Sequence, residues 1–96
     1  MQNDLIIISD YCETCNIEPS FIELLREDGL IDIQEREGAD CFPASELAAL
    51  ERYAHLYYDL SINIEGIDAI RHLLDRVEGL QREVRRLQAE VSFYRR

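Results

Sequence analysis

The stretch Asn16-Ile17-Glu18-Pro19-Ser20-Phe21-Ile22-Glu23-Leu24-Leu25, closed by Gly29, decides the fold. Asn16-Ile17-Glu18 reads as a turn. Pro19 suits the first position of a helix, where an amide hydrogen would have no partner in any case. Ser20-Phe21-Ile22-Glu23 matches the S-x-x-E capping box ahead of apolar Leu24 and Leu25. Gly29 fits the left-handed residue just past a helix end. Upstream, Leu5-Ile6-Ile7-Ile8 is a short β-branched run, read as a strand or extended arm. Ser9 offers an N-cap for a short helix from about Asp10 to Cys15. Two short helices about a tight turn form a helix-turn-helix unit.

Downstream, Leu30-Ile31-Asp32-Ile33 alternates like a strand, and Glu35 to Asp40 is a charged turn carrying Gly38. Cys41-Phe42-Pro43 reads as the returning strand, so the segment is a β-hairpin wing. Ser45 is expected to cap a third helix, with Leu47, Leu50, Ala54 and Tyr57 or Tyr58 at helical spacing. Asp59 to Asn63 breaks that helix, and a final one begins near Ile64 and runs to the C-terminus. Ile67, Ile70, Leu74 and Val77 keep 3-4-3 spacing along it. Val77, Leu80, Val84, Leu87, Val91 and Tyr94 then give a coiled-coil seam of about three heptads, the expected dimerisation surface. Arg82, Glu83, Arg85, Arg86, Glu90, Arg95 and Arg96 flank it with mixed charge, and Gly79 lies near the change of phase. The fold class that follows is mainly α with a small β wing. It is a winged helix-turn-helix headpiece over 1–63, followed by a long C-terminal coiled-coil helix over 64–96 in one compact unit.

Ninety-six residues make one domain with a small core. No apolar run approaches the roughly 18–20 residues that span a membrane, and no basic segment precedes an apolar one as in a signal peptide. The expected address is the cytoplasm. Three cysteines, an odd number, suit a reducing compartment better than a disulfide framework. Charge is the most informative bulk property. Twenty acids oppose ten bases, and every base is Arg. Residues 1–50 carry twelve acids against Arg26 and Arg36 alone, whereas residues 51–96 carry eight of each sign. An acidic first half repels phosphate backbones and attracts basic partners.

The run from Ile8-Ser9-Asp10-Tyr11-Cys12 through Asn16 to Ser20 and on to Asp28-Gly29-Leu30-Ile31 resembles the head of MerR-type regulators. The segment Asp59 to Ile67 and the closing coiled coil continue the likeness. Within that superfamily the chain is most similar to the chaperone modulators of the CbpM type. Tyr11-Cys12 matches their Tyr/Phe-Cys pair, and Leu60-Ser61-Ile62-Asn63-Ile64-Glu65-Gly66-Ile67 matches their Leu-x-Ile/Leu-x-x-x-Gly-Ile hinge. That family carries Trp in its wing strand; this chain has none, and Phe42 stands in its place. The resemblance implies a regulator that binds the J-domain of a DnaJ-type co-chaperone and inhibits its stimulation of the Hsp70-type chaperone. It also implies an antiparallel homodimer.

DNA-binding relatives carry basic residues where this chain has Glu23, Asp28 and, at the return of the wing, Asp40. The expected second helix presents Glu23, Glu27 and Asp28 against Arg26, the wrong sign for a major groove. Glu23, Glu27 and Asp28 are therefore candidate contacts to a basic protein surface, with Tyr53, Tyr57 and Tyr58 as candidate aromatic anchors. Tyr57 also lies at core spacing from Leu50 and Ala54, which is the plainer reading of it. Cys12-Glu13-Thr14-Cys15 is a C-x-x-C without a second half-site, read as core and surface thiols before a metal or redox pair. His55 and His72 read as helix-surface residues, and no phosphate loop or nucleophile constellation occurs. The expectation is no enzyme activity, no cofactor, no metal, no direct nucleic-acid binding and no membrane. The competing classes are a MerR-type DNA-binding regulator and a coiled-coil scaffold.

Overall fold

The computed structural model describes residues 4–95; residues 1–3 and Arg96, the outer ends of the two expected segments, lie outside it. The chain runs β1 (Leu5–Ile7), α1 (Ile8–Cys15), α2 (Pro19–Glu27), β2 (Gln34–Arg36) and β3 (Ala39–Pro43). A 3₁₀ turn (Ala44–Glu46), α3 (Leu47–Ala54), a π turn (His55–Asp59) and α4 (Ile64–Tyr94) follow. It is thus mainly helical with a three-stranded antiparallel sheet in the order β1-β3-β2, the arrangement of a winged helix. Ile6 pairs with Phe42 and Glu35 with Asp40, so β3 is the central strand. Its adjacent residues Cys41 and Phe42, which point to opposite faces of the sheet, are both buried.

Turn chemistry sets the path. Asn16 is left-handed at the end of α1, and the amide of Ile17 reaches back to the Cys12 carbonyl. Gly29 is left-handed past α2; its amide bonds to Arg26 and that of Leu30 to Leu25, a Schellman closure. Glu37 and Gly38, both at positive φ, make the two-residue turn of the wing.

Three expected caps do not form. Ile7 stays extended because it is paired with Cys41, so α1 starts at Ile8 and Ser9 falls inside its first turn. At α2 the N-cap is Glu18, with Pro19 next, which leaves Ser20 too far in to close a capping box with Glu23. Ser45 lies within the 3₁₀ turn, and α3 starts only at Leu47. The expected strand over Leu30 to Ile33 is also displaced. Leu30 and Ile31 are both buried, serving as core residues of a connecting segment, and the strand begins at Gln34. The third helix narrows to Leu47–Ala54 and continues as the π turn to Asp59, and the chain is then non-helical over Leu60 to Asn63, within the expected break.

The core gathers Phe21, Ile22 and Leu25 from α2, Tyr11 and Cys12 from α1, Phe42 from the sheet, Leu50 and Tyr53 from α3, and Ile67 from α4. Tyr11 meets Phe42 edge to face, with ring centres 5.5 Å apart. Ile67 is completely buried, so the first turns of α4 pack within the headpiece. Asn63 caps α4, its side chain accepting the Gly66 amide hydrogen at 2.8 Å. Beyond that root α4 runs into solvent: Val77, Leu80, Val84, Leu87, Val91 and Tyr94 are all exposed. No described helix is long and apolar enough to cross a membrane.

An acidic groove between α2 and α4

The amphipathic pattern of α2 turns Phe21, Ile22 and Leu25 inward and leaves Glu23, Leu24, Arg26 and Glu27 outside. Leu24, 39% exposed, is a large apolar side chain in the middle of that acidic face. The π turn then brings both tyrosines against α2. Tyr57 stacks on Phe21 with ring centres 4.6 Å apart, and Tyr58 meets the same ring edge-on at 5.3 Å. Both neighbours therefore reach one ring from the π turn.

Leu24, Tyr57 and Ile64 make the apolar walls of a groove of about 360 Å³, and Glu27, Asp28, Glu65 and Asn63 complete it. The groove therefore has three carboxylates and no base. Glu27, Asp28 and Glu65 are all exposed, so they remain hydrated and ready to meet a cation without prior desolvation. Glu23 lies outside the groove and is engaged by Arg26 at 3.5 Å.

The candidate contacts thus separate. Glu27, Asp28 and Tyr57 come together. Tyr58, half-exposed, lies against the back of the same aromatic cluster, where its hydroxyl accepts the Glu18 amide hydrogen at 3.2 Å. Tyr53 departs from the expectation of a surface anchor: it is 5% exposed and belongs to the core. Leu24, Ile64 and Glu65 were not expected. A signal for Leu24 existed in the sequence, since it interrupts the acidic face of the helix between Glu23 and Glu27. Glu65 and Ile64 carry none, because their approach to α2 depends on the path of the Leu60–Asn63 loop, with Ser61 left-handed.

The two elements that a winged helix sets against DNA, its second helix and its wing, carry the same sign. Glu23, Glu27, Asp28, Glu35, Glu37 and Asp40 are exposed there against Arg26 and Arg36. Glu35 and Asp40 even face each other across the β2–β3 ladder, a like-charge pair that weakens the hairpin.

Elsewhere the titratable groups are scattered. Cys12 and Cys41 are buried, Cys15 is exposed, and all three are free thiols. Among the described residues no group of three or more His, Cys, Asp or Glu side chains is placed to hold a metal ion. His55 lies 2.8 Å from Asp59 on the exposed surface, and His72 lies 3.8 Å from Asp68.

A winged helix-turn-helix with a long closing helix is the scaffold of a class of regulatory proteins. The chain matches the family described as MerR HTH family regulatory protein over residues 6–89, and it belongs to that family. No curated protein matches it, and no solved structure does.

Proposed function

We propose that this chain is a cytoplasmic, non-enzymatic modulator of a DnaJ-type co-chaperone. It binds the J-domain and inhibits stimulation of the Hsp70-type chaperone. The observation that carries the reading is the groove whose apolar walls, Leu24, Tyr57 and Ile64, are rimmed by Glu27, Asp28 and Glu65 with no base among its lining. A basic amphipathic helix suits such a surface. Its cations steer the encounter and set the register, while its apolar side chains supply affinity in the groove. J-domains present a basic helix to their chaperone partner, so occupation of that helix would deny it to the chaperone. The resemblance to the CbpM type, carried by Tyr11-Cys12 and the Leu60 to Ile67 hinge, supports the same choice of partner.

Direct DNA binding fits the surface poorly. Affinity for DNA comes from Lys and Arg neutralising phosphates, and the second helix and wing offer an excess of carboxylates instead.

The test is a titration of the full chain against the isolated J-domain of a DnaJ-type co-chaperone from the same cell, at 50 mM and 300 mM salt. Tighter binding at low salt, together with loss of chaperone ATPase stimulation, is the expected result. Absence of binding at both salts, or a mobility shift of duplex DNA at 50 mM, overturns it.

A further inference from the structure

A second recess, of about 260 Å³, shares no residue with the groove and opens between α1 and the start of α3, beside β1. Tyr11 and Cys15 stand one turn apart on α1, and Leu47 and Glu51 one turn apart on α3, so each helix turns one face to it. Ile6 and Leu47, both half-buried, are its apolar walls. Asp10 and Glu51 are exposed at it, and no base is among its lining.

Tyr11 is 7% exposed, yet its hydroxyl has no hydrogen-bond partner among the described residues. A buried tyrosine ordinarily pairs its hydroxyl. The oxygen is not sealed in the core, because among the described residues the fully enclosed side-chain polar atom left without a partner is Arg71 Nε. Phe42 holds the ring edge to face at 5.5 Å, and the hydroxyl opens to the recess that Tyr11 lines. Burial raises the pKa of Tyr11, and Cys15 and then Glu51 add to the rise, so both side chains lie within electrostatic reach of it. Neither Asp10 nor Glu51 takes part in an ion pair among the described residues.

These features select a ligand chemistry. An anion meets two carboxylates and no base. A neutral apolar group covers the hydroxyl and leaves it unpaired, which is costly. A cation on an apolar stem suits both the walls and the charge. An ammonium has three donors on a flexible four-carbon stem, matching three acceptors at Tyr11, Asp10 and Glu51. A guanidinium is planar and fitted instead to bidentate pairing with one carboxylate. We propose that this recess is a docking point for a single lysine side chain of a protein partner, its stem along Ile6 and Leu47 and its ammonium between the Tyr11 hydroxyl, Asp10 and Glu51. The proposal stands apart from the J-domain reading, since it uses none of the side chains of the groove.

Cys15 supplies the readout. It lines the recess and is exposed, whereas Cys12 and Cys41 are buried, so its alkylation reports whether the recess is filled. The full chain is treated with iodoacetamide, a neutral reagent, at constant ionic strength, and modification of Cys15 is followed by mass spectrometry. The probes are the N-acetyl methylamides of lysine, arginine and norleucine. The lysine derivative is expected to slow alkylation saturably, with half-protection at about 1–10 mM, the scale for a ligand of this size. The other two are expected to need at least about 5-fold more. Tyr11→Phe, which keeps a ring against Phe42, and Glu51→Gln, at an exposed position, are each expected to raise the half-protection concentration by about 5-fold, with circular dichroism confirming the fold. Equal protection by norleucine overturns the cation, and equal protection by arginine overturns the choice of lysine. No protection at about 50 mM lysine derivative, or half-protection unchanged in either variant, overturns the site.

Discussion

The hydroxyl of Tyr58 accepts the backbone amide hydrogen of Glu18 across forty positions of sequence, at 3.2 Å. Glu18 is the N-cap of α2, and its amide is the group that a capping-box glutamate would otherwise satisfy. The π turn thus does the work of the missing capping box, and it fixes the start of the helix that bears Glu27. Tyr58→Phe keeps the ring on Phe21 and removes only the acceptor. It is expected to lower stability by about 0.5–1 kcal/mol, the small end for a hydrogen bond because the site is half-exposed. The urea midpoint measures this; an unchanged midpoint shows that water replaces the tie at no cost.

Glu27 and Glu23 lie one turn apart on α2, yet only Glu27 lines the groove. Glu27→Lys is expected to weaken J-domain binding at 50 mM salt by about 10-fold, a change of about 1.4 kcal/mol. Glu23→Lys is expected to cost less than half of that free energy. Both side chains are exposed, so folding is preserved. The gap is expected to narrow at 300 mM salt as screening shortens the reach of each charge. Equal effects from both substitutions would move the contact from the groove to the whole outer face of α2.

Phe42 is fully buried between the sheet and α1, against Tyr11. Phe42→Ala is expected to cost about 3–5 kcal/mol, a large part of the stability of a domain this small. The same truncation at Leu87, 45% exposed and outside the headpiece, is expected to leave headpiece stability within about 0.5 kcal/mol of the parent. Thermal melts of a dilute, monomeric sample separate the two.

The elements were readable where local chemistry fixes them. Pro19 starts α2, Gly29 ends it, Gly38 turns the wing and the 3-4-3 spacing from Ile67 marks α4. The caps were not, because hydroxyl and acid at the right spacing say what a side chain can do, not which residue is first in the helix. At Ser9 the ladder between Ile7 and Cys41 decided that point; at Ser20 the Pro19 ring and the distant Tyr58 hydroxyl did. Leu30 and Ile31 misled for a related reason. Consecutive burial on a segment leaving a Schellman turn looks, in sequence, like one end of an alternating strand. The acidic half of the groove was legible at Glu27 and Asp28. Its far wall was not, since Ile64 and Glu65 arrive through a π turn and a left-handed Ser61 that no periodicity announces.

The core also sets how the protein responds to alkali. Burial pushes the Cys12 thiol above its ordinary value of 9.0, with the neighbouring Cys15 adding to the effect. Burial likewise pushes Tyr11 above 10.0, helped by Cys15 and Glu51, and raises Tyr53 although Arg71 opposes the shift. In each case the folded state prefers the neutral form more strongly than the unfolded chain does. Their contribution to stability is therefore fully present below the unfolded values and is lost as pH rises through the folded ones. Stability is expected to be insensitive to these groups between pH 7 and 8. It then falls above about pH 9, first through Cys12 and then through the two tyrosines, with a slope of at most about 1.4 kcal/mol per pH unit for each group. Urea midpoints at pH 7.5, 9.5 and 10.5 measure the fall. Cys12→Ala is expected to delay its onset towards pH 10, because only the tyrosines then resist ionisation in the fold. A midpoint that stays level to pH 10.5 would mean that the Tyr11–Phe42 and Tyr53 sites admit water, and that the core between sheet and helices is looser than its packing.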